Sequence, residues 1–447
     1  MNEESVQSEL GAFCEAYKLL SMLSLPQNDL KTYEHITSIK GGATMTKSML
    51  NKNKRRFETS SNSAYESPPF TDFESITTKT PIEELNLNWS EEDLPEKIRT
   101  KHVHRLHPYL GKFIPQLVEI FLRRYSPKVV CDPFCGSGTT LVEANALGID
   151  SVGCDISEFN CLLSKVKTDK YDVIKLEREI KDILAKMKYK EITRADFWDV
   201  QDTDNKYLKK WFAAKARKQL LYFLSLIPNY EYQDVMKIIL SRSARSARLT
   251  THYDLDFPKQ PQTEPYYCFK HRRTCKPTDD ALEFLQRYSY DTIKRIKEFS
   301  KIRTNAKVEI ICGDAREVDF PEMDMVLTSP PYVGLIDYHR QHRYANELLN
   351  LEWREEQEIG PAFKGTSRTA KEEYVSQISA VFLNVRRKLK DNGVVVIVVN
   401  DKDNIYKDMA PKIGFSLKDN IVRHVNRRTG RRANNNFFEE VLIWRKK

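Results

Sequence analysis

Residues 129–140 read Val-Val-Cys-Asp-Pro-Phe-Cys-Gly-Ser-Gly-Thr-Thr, and this stretch is the strongest indication of the fold. An apolar run that ends at Asp132 predicts a buried strand, and residues 141–144 predict a helix. Between them, Gly136 and Gly138 permit positive φ angles and a close approach of the backbone to a ligand. A strand, a glycine-rich turn and a helix in this order are typical of the first unit of a doubly wound α/β sheet that binds a nucleotide.

A second apolar strand is predicted at residues 151–156, and it carries an acid, Asp155, about 20 residues after the glycine turn. A carboxylate at this place binds the ribose of a nucleotide cofactor. The Lys-Ser/Thr pair with which a P-loop binds phosphates does not follow Gly138. An adenosine ligand without phosphates is therefore expected, and S-adenosylmethionine fits this description.

The other informative stretch is Thr-Ser-Pro-Pro-Tyr at residues 328–332, which follows an apolar run. Neither proline donates a backbone hydrogen bond, and each disfavours helical geometry in the residue before it. The chain should therefore be extended and stiff, with the Ser329 hydroxyl and nearby carbonyl groups as acceptors beside the Tyr332 ring. Such acceptors suit an aromatic amine, although a tight turn after a strand would also explain the motif.

Together these segments resemble the amino-methyltransferases of DNA, specifically the bacterial site-specific enzymes whose Thr-Ser-Pro-Pro-Tyr motif is associated with cytosine-N4 methylation. The resemblance covers about residues 85–447. It implies a doubly wound, Rossmann-like methyltransferase sheet, S-adenosylmethionine as the cofactor and double-stranded DNA as the substrate. It also implies a cytoplasmic protein of a bacterium or phage, within a restriction-modification system whose cognate endonuclease acts separately.

The resemblance assigns roles to several blocks of the sequence. Residues 107–116 resemble the segment that touches the methionine moiety, and residues 313–315 resemble the turn that contacts adenine. The residues expected to bind the cofactor are Lys112, Phe113, Asp132, Pro133, Phe134, Gly136, Gly138, Thr139, Asp155, Ile156, Asp314 and Ala315. The residues expected to form the catalytic site are Ser329, Pro330, Pro331 and Tyr332.

The chemistry of amine methylation explains why these residue types occur together. An exocyclic amine is a poor nucleophile because its lone pair is delocalised into the base. Hydrogen bonds from the amine to the Ser329 hydroxyl oxygen and the Pro330 carbonyl would aim the lone pair at the methyl group, while Tyr332 stacks on the base. The base must first leave the duplex, and transfer then depends on positioning and electrostatics.

Other activities remain compatible with these residues. Adenine N6 is an alternative target, because Ser329 in place of the commoner Asp only favours cytosine. A DNA-binding protein that has lost catalysis is a further alternative, which the intact Asp132, Asp155 and Ser329 disfavour. An RNA amino-methyltransferase is less favoured, since no appended RNA-binding segment is evident.

The composition favours a polyanionic partner, because the 447 residues carry a formal net charge of +9. Arginines at every third position from 242 to 248 predict a basic stripe along one helix face. Basic clusters also occur at residues 270–273 and 427–432, and each could equally be a solvated surface. The residues expected to bind DNA are Arg242, Arg245, Arg248, His339 and Arg340.

The cysteines indicate a reducing compartment, since Cys131 and Cys154 lie in apolar strands. Cys268, His271 and Cys275 have the spacing of zinc ligands. A fourth ligand is not evident nearby in the sequence, so no metal site is expected. No long apolar run is present, and no membrane association is expected.

The chain is predicted to have four segments. Residues 1–85 are polar and are expected to form a largely mobile extension. Residues 86–165 and 306–447 would form the two parts of the methyltransferase domain, with a strand pair at 420–425 and 440–444 closing the sheet. Residues 166–305 predict a mainly helical insertion, because the separation of about 150 residues between Asp155 and the next predicted strand far exceeds an ordinary connection. This insertion could be a DNA-facing recognition subdomain or a structural cap.

Overall fold

The computed structural model describes residues 70–192, 197–255, 257–425 and 437–447. The strands are β1 (Val129–Asp132), β2 (Asp150–Asp155), β3 (Tyr266–Cys268), β4 (Arg273–Cys275), β5 (Val308–Cys312), β6 (Met323–Thr328), β7 (Leu389–Val399), β8 (Phe415–Val425) and β9 (Phe437–Lys446). The helices before the insertion are α1 (Glu96–Arg99), α2 (Pro115–Tyr125), α3 (Thr139–Ala146) and α4 (Glu158–Thr168). Those of the insertion are α5 (Val173–Ile192), α6 (Lys206–Trp211), α7 (Ala214–Leu226), α8 (Gln233–Ala247) and α9 (Leu282–Ser300). Those after it are α10 (Tyr338–Gln341), α11 (Arg343–Leu349), α12 (Arg368–Lys388) and α13 (Ile405–Lys412).

The main sheet has the strand order β5-β2-β1-β6-β7-β9-β8. The strands from β5 to β7 are parallel, and β9 runs antiparallel to both β7 and β8. The chain starts in the middle at β1, moves to one edge and returns at β6, so the sheet is doubly wound as expected. The direction of winding changes between β1 and β6, which is where sheets of this kind bind their ligands.

Both faces of the sheet are covered, which explains why its central strands are continuous apolar runs. In β6, Met325 and Leu327 belong to one core cluster, and Val326 between them belongs to the cluster on the other face. In β1, Val130 belongs to the first of these clusters and Cys131 to the second. Successive side chains of a strand point to opposite faces of the sheet, so each short strand contributes to the hydrophobic core on both faces.

The insertion is mainly helical, as the sequence predicts. Its helices pack around a shared apolar cluster that includes Ile180, Phe223 and Ile239. Phe159 of α4 and Tyr344 of α11 belong to the same cluster. The insertion is therefore packed against elements that flank the sheet.

The prediction of a mobile extension up to residue 85 is wrong for its last part. Ile76, Ile82 and Leu85 are buried in the same core cluster as Leu117 of α2. Residues 1–69 and the basic cluster at 427–432 lie outside the described residues. Among the helices that the structure describes, none is both long and apolar enough to cross a bilayer.

Candidate active site

A cleft that opens to solvent lies at the carboxyl ends of the parallel strands, and it encloses about 830 Å³ when its solvent-open part is included. The expected site residues that line it are Lys112, Phe113, Asp132, Pro133, Phe134, Gly136, Thr139, Asp155, Ile156, Asp314, Ala315, Ser329 and Pro331. The cleft is also lined by Tyr109, Gly111, Cys135, Ser137, Asn160, Gly313, Tyr338, Gln357, Glu358 and Ile359. The fold thus brings the two halves of the expected site, 200 residues apart in sequence, to one cavity.

The glycine turn after β1 is held tightly against its surroundings. Gly136 has a φ of +49°, and a Cβ atom at this position would lie 2.8 Å from the hydroxyl oxygen of Tyr109. Gly138 has a φ of +75°, and its added Cβ would lie 2.7 Å from Oγ of Ser164 on α4. Gly136 lines the cleft, whereas Gly138 is not among the lining residues and instead permits close packing of the turn on α4.

Lys167 supports the turn from inside the protein. Its side chain is fully buried, and its ammonium group donates a 2.6 Å hydrogen bond to the carbonyl oxygen of Ser137. Burial, with a smaller contribution from the nearby Lys112, holds the pKa of Lys167 well below its usual range. The sequence alone gave no indication of this contact, because Lys167 follows an ordinary amphipathic helix pattern.

Asp155 is fixed by donors from the turn and from α4. One carboxylate oxygen accepts a 2.9 Å hydrogen bond from the Gly136 amide, and the other accepts from the Ser157 amide at 2.9 Å and from Asn160 Nδ2 at 3.0 Å. Burial raises the pKa of Asp155 above its ordinary value, although these three hydrogen bonds oppose the change. The carboxylate therefore faces the cleft in a fixed orientation, as a ribose ligand requires.

Several buried polar atoms at the cleft lack a partner among the described residues. They are the side-chain oxygens of Ser137, Thr139 and Asn160. A buried polar group without a hydrogen bond is unfavourable by about 1–3 kcal/mol. Because all three residues line the cleft, a polar ligand such as the amino acid or ribose part of S-adenosylmethionine would satisfy them.

Asp132 connects the glycine turn to the strand of the Thr-Ser-Pro-Pro-Tyr motif. Its two oxygens accept hydrogen bonds from the hydroxyl groups of Thr328, at 2.6 Å, and Thr140, at 2.7 Å. The Phe134 amide also donates to it, at 3.2 Å. Burial outweighs these hydrogen bonds and raises the pKa of Asp132 to about 6. Asp132 is thus both a wall of the cleft and a structural link.

The motif itself presents one uncommitted hydroxyl to the cleft. Ser329 is half-buried, and its Oγ makes no hydrogen bond to any residue that the structure describes. The carbonyl of Pro331 accepts a 2.7 Å hydrogen bond from the hydroxyl of Tyr374, which anchors the motif to α12. Pro330 is buried and Tyr332 is half-buried, and neither is among the residues that line the cleft.

Lys112 and Asp314 line the cleft but make contacts within the protein. The Lys112 ammonium donates to the carbonyl oxygen of His104 at 2.8 Å, and burial, with the nearby Arg105, lowers its pKa to about 8. The Asp314 carboxylate accepts from the backbone amide of Arg316 at 2.9 Å and pairs with the guanidinium of the same residue. These hydrogen bonds outweigh burial and lower the pKa of Asp314.

Glu358 is a buried carboxylate of the cleft that the sequence analysis did not identify. It accepts hydrogen bonds from the backbone amides of Tyr338, at 3.2 Å, and His339, at 2.7 Å, and it also contacts the His339 ring. It therefore fixes the start of α10 beside the cleft. No local pattern around residue 358 distinguishes it from the neighbouring exposed glutamates.

The prediction that Arg242, Arg245 and Arg248 bind DNA from one helix face is wrong at two of the three positions, where the arginine is buried. Arg242 is buried and forms a 2.6 Å ion pair with Asp291 of α9, and Arg248 is buried with its guanidinium over the ring of Tyr344. Arg245 is half-buried. The stripe is internal because α8 is packed between α9 and α11.

The two expected DNA-binding residues that follow the motif differ in exposure. His339 is buried against Glu358, so it does not face solvent. The side chain of Arg340 is 51% exposed, pairs with Glu355 and lies 5.1 Å from the ring of Phe363. Arg340 is therefore the one of the pair that is accessible to a nucleic acid.

Comparison with known sequences gives matches across both halves of the site. A profile described as DNA methylase matches residues 31–166 and 323–447, and one described as D12 class N6 adenine-specific DNA methyltransferase matches residues 111–254. The type II methyltransferase M.MjaII of Methanocaldococcus jannaschii is 40% identical over 431 residues, which cover 78% of this chain and 81% of that protein. The type II methyltransferase M.MvaI of Kocuria varians is 24% identical over 276 residues, 57% of this chain and 59% of that protein.

Solved structures give only distant similarities. TrmN from Thermus thermophilus is 12% identical with a TM-score of 0.30, and the match covers 75% of this chain and 50% of that one. TTHA0409 from Thermus thermophilus, described as a putative DNA modification methylase, is 23% identical with a TM-score of 0.20. That match covers 30% of this chain and 52% of the other.

Proposed function

Because this chain belongs to the N6/N4 family of DNA methylases, we propose that it methylates the exocyclic N4 amine of cytosine in double-stranded DNA. S-adenosylmethionine is its cofactor, and when bound it supplies an electrophilic methyl group. The residues of the cleft that would hold it are Asp155 for the ribose, Ser137, Thr139 and Lys112 for the amino acid part, and Asp314 and Ala315 for the adenine.

The proposal of an amine substrate rests mainly on the hydroxyl group of Ser329. Its hydroxyl faces the same cleft as Asp155 and is not used by any described residue, whereas the hydroxyl of the preceding Thr328 is committed to Asp132. The carbonyl of Pro330 likewise accepts no hydrogen bond from the described residues. Two uncommitted acceptors on adjacent residues match the two N–H groups of an exocyclic amine.

These acceptors would act by orienting the amine. Ser329 Oγ and the Pro330 carbonyl accept its N–H groups and turn the nitrogen lone pair towards the methyl group. The prolines keep the segment extended, and the hydrogen bond from Tyr374 to the Pro331 carbonyl holds it in place. We propose that the Tyr332 ring stacks on the base. Because the backbone of the motif is anchored in this way, we propose that the rate depends mainly on positioning.

We propose that the base leaves the duplex before transfer. Strand-end residues such as Ser329 lie inside a cleft, so the amine of a stacked base could not reach them. We propose that Arg340 binds the DNA backbone near this cleft, since it is exposed and follows the motif closely. The insertion, with the half-buried Arg245, remains a candidate for target recognition.

Adenine N6 is the second candidate target. The match to D12 class N6 adenine-specific enzymes favours it, but that match spans residues 111–254 and so contains the glycine turn and Asp155 without Ser329. It therefore bears on the cofactor half of the site rather than on the residues that would contact the base. We propose cytosine because of the hydroxyl at Ser329.

Two relatives carry the name of type II methyltransferases, which supports a role in a restriction-modification system. We propose that this chain protects host DNA at one recognition sequence, with a separate cognate endonuclease.

The deciding experiment uses S-adenosylmethionine labelled in its methyl group. The full chain is incubated with duplex DNA or with RNA, the nucleic acid is digested to nucleosides, and the labelled nucleoside is identified by mass spectrometry. N4-methylcytosine from DNA supports the proposal, and N6-methyladenine from DNA would replace cytosine by adenine. Label only in RNA would exclude a DNA methyltransferase activity.

A further inference from the structure

The connection between α8 and α9 contains a side-chain cluster that the methyltransferase site does not use. Residues 248–281 of this connection contain no helix among those described, and their regular structure is the small hairpin of β3 and β4. Each strand of this hairpin has only three residues. A two-stranded hairpin of this size is not stable on its own in water.

Four potential metal ligands converge at the base of this hairpin. They are His252, Cys268, His271 and Cys275, and one ligand atom from each lies within 4.8 Å of all the others. Cys268 and Cys275 are buried free cysteines on the two paired strands. His271 lies in the turn between the strands, and His252 approaches from the preceding loop.

Three sulfur–nitrogen distances within the cluster agree with tetrahedral coordination of zinc. Sγ of Cys268 lies 3.5 Å from Nδ1 of His252 and 3.6 Å from Nδ1 of His271, and Sγ of Cys275 lies 3.5 Å from Nδ1 of His271. Zinc binds sulfur at about 2.3 Å and nitrogen at about 2.0–2.1 Å, so a tetrahedral angle separates S and N ligands by about 3.6 Å. All three separations lie within 0.1 Å of this value.

The sequence-based expectation that a fourth ligand is missing is therefore wrong. His252 precedes Cys268 by 16 residues, outside the short spacing of the other three ligands. Its loop is brought to the hairpin by a 3.0 Å hydrogen bond between the His252 amide and the hydroxyl of Tyr266. Two cysteines and two histidines complete a ligand set that is common in structural zinc sites.

The exposed side chains of the hairpin indicate that an apolar core does not hold the hairpin in place. Tyr267 and Phe269 are 54% and 74% exposed, so the large side chains of the hairpin do not bury it against the protein. Arg272 has a φ of +52°, in the left-handed region that is unfavourable for its side chain. A bound ion would stabilise this conformation by linking both strands, the turn and the preceding loop through one centre.

A second convergent group, formed by His102, His104 and Glu143, has a different explanation. Glu143 accepts a 2.6 Å contact from the His104 ring and forms a 2.9 Å ion pair with the ammonium group of Lys101. The lysine already supplies the positive charge that a metal ion would bring. This group, unlike the hairpin cluster, therefore has its charge balanced without a metal ion.

We propose that His252, Cys268, His271 and Cys275 bind one Zn²⁺ ion, which holds the β3–β4 hairpin and its preceding loop together. Zinc coordinated by two thiolates and two neutral imidazoles forms a site without net charge. A neutral site is compatible with the burial of both sulfur atoms and with the basic residues at 270–273. The ion has a structural role, because all four coordination positions are taken by the protein. The proposal does not depend on the base that the enzyme methylates.

The test is the metal content of the purified full-length protein. The protein is produced in zinc-supplemented medium, dialysed against metal-free buffer, and measured by elemental analysis. We expect about one zinc per chain in the unmodified protein and less than about 0.2 in the Cys268→Ser/Cys275→Ser double variant. The matched control is Cys312→Ser, which removes an exposed thiol outside the cluster and should retain the full zinc content.

A spectroscopic measurement keeps the test valid if the double variant folds poorly. Cobalt exchanged into the unmodified protein should give the intense visible bands of tetrahedral Co²⁺ and a near-ultraviolet sulfur-to-cobalt charge-transfer band. His252→Ala should keep the charge-transfer band and release the metal to a chelator at least tenfold faster.

Three results would overturn the proposal. They are an unmodified protein without stoichiometric zinc, zinc that persists in the double cysteine variant, and an intact mass that shows Cys268 joined to Cys275 in a disulfide. Zinc that persists in the double variant would instead indicate binding at His102, His104 and Glu143.

Discussion

The hydroxyl group of Thr328 donates a 2.6 Å hydrogen bond to the carboxylate of Asp132, and both side chains are buried. Thr328 ends β6 and begins the Thr-Ser-Pro-Pro-Tyr motif, whereas Asp132 ends β1 and begins the glycine turn. The two strands are neighbours in the sheet. This one contact therefore sets the position of the Thr-Ser-Pro-Pro-Tyr motif relative to the glycine turn.

Removal of the Thr328 hydroxyl should weaken both the fold and the cofactor site. Thr328→Val keeps the side-chain shape but leaves Asp132 with one donor fewer, and we expect a loss of about 2 kcal/mol in the free energy of unfolding. We also expect weaker binding of S-adenosylmethionine. Urea unfolding and calorimetric titration at pH 8 measure the two effects. Thr328→Ser keeps the hydroxyl and should remain close to the unmodified protein; equal stability of the Val and Ser variants would contradict this role.

The raised pKa of Asp132 predicts a specific dependence of stability on pH. Its pKa is about 6 in the folded protein and about 3.9 in an unfolded chain. Between these values the folded state binds more protons, so the contribution of Asp132 to stability is present at low pH and is lost as the pH rises through 6.

Asp132→Asn removes this titration. From pH 4.5 to 7.5, urea unfolding of the protein without cofactor should show the unmodified protein losing about 2 kcal/mol relative to the variant. The control is Asp319→Asn, which changes an exposed carboxylate that pairs with Lys388 at the surface. A difference between Asp132→Asn and the unmodified protein that does not change with pH would show that Asp132 keeps an ordinary pKa.

Substitutions in the two halves of the cleft should have different effects on kcat and on cofactor binding. Ser329→Ala removes the proposed acceptor of the amine, so we expect kcat to fall at least about 100-fold. The dissociation constant of S-adenosylmethionine should change less than about twofold, because Ser329 bonds to no described residue of the cofactor turn.

Ser137→Ala is the matched variant in the other half of the cleft. It removes a buried hydroxyl that lacks a partner among the described residues, so it should weaken cofactor binding about fivefold, with a smaller effect on kcat. Single-turnover transfer and calorimetric titration of both variants give the comparison. Normal transfer by Ser329→Ala would show that another group accepts the amine.

Short segments that fix their own geometry were predictable from the sequence. Asp132, Gly136 and Asp155 occupy the expected places because a strand, a turn and a helix position them locally. Ser329 reached the same cleft because parallel strands of one sheet end at one edge.

The features that sequence reasoning missed depend on contacts between distant segments. The three-residue period of the arginines from 242 to 248 predicts one helix face but does not say whether that face is exposed, and Arg248 lies just beyond the end of α8 in extended geometry. The helix packs against α9 and α11, so Arg242 pairs with Asp291. Glu358 and His252 reach their clusters through loops, for which no periodic pattern exists.

The close approach of Tyr109 to the glycine turn predicts different tolerances at two glycines. Gly148 has a φ of +73° with no atom within 4 Å of an added Cβ, whereas the added Cβ at Gly136 would meet Tyr109. Gly148→Ala should therefore lose only about 1 kcal/mol, the effect of the backbone conformation.

Gly136→Ala should lose more stability than Gly148→Ala and should weaken cofactor binding about tenfold or more, because Tyr109 must move into the cleft. Tyr109→Phe removes the oxygen that lies 2.8 Å from the added Cβ, so the double variant should recover part of the loss. Thermal unfolding and calorimetric titration over this double-mutant cycle test the contact. Equal losses at both glycines would show that the turn has room for a methyl group.

The contrast between a buried and an exposed arginine predicts opposite effects on folding and on DNA binding. Arg242→Gln breaks the ion pair with Asp291, which keeps its pair with Arg295, so it should lower the free energy of unfolding by about 1–2 kcal/mol and leave the salt dependence of DNA affinity unchanged. Arg340→Gln should change stability by less than about 0.5 kcal/mol, because its pair with Glu355 is half-exposed. It should also reduce the slope of log affinity against log salt by about one, as expected for one lost phosphate contact. Fluorescence anisotropy with a labelled duplex from 50 to 200 mM salt, about a fourfold range, measures the slope. An unchanged slope in Arg340→Gln would remove this residue from the DNA interface.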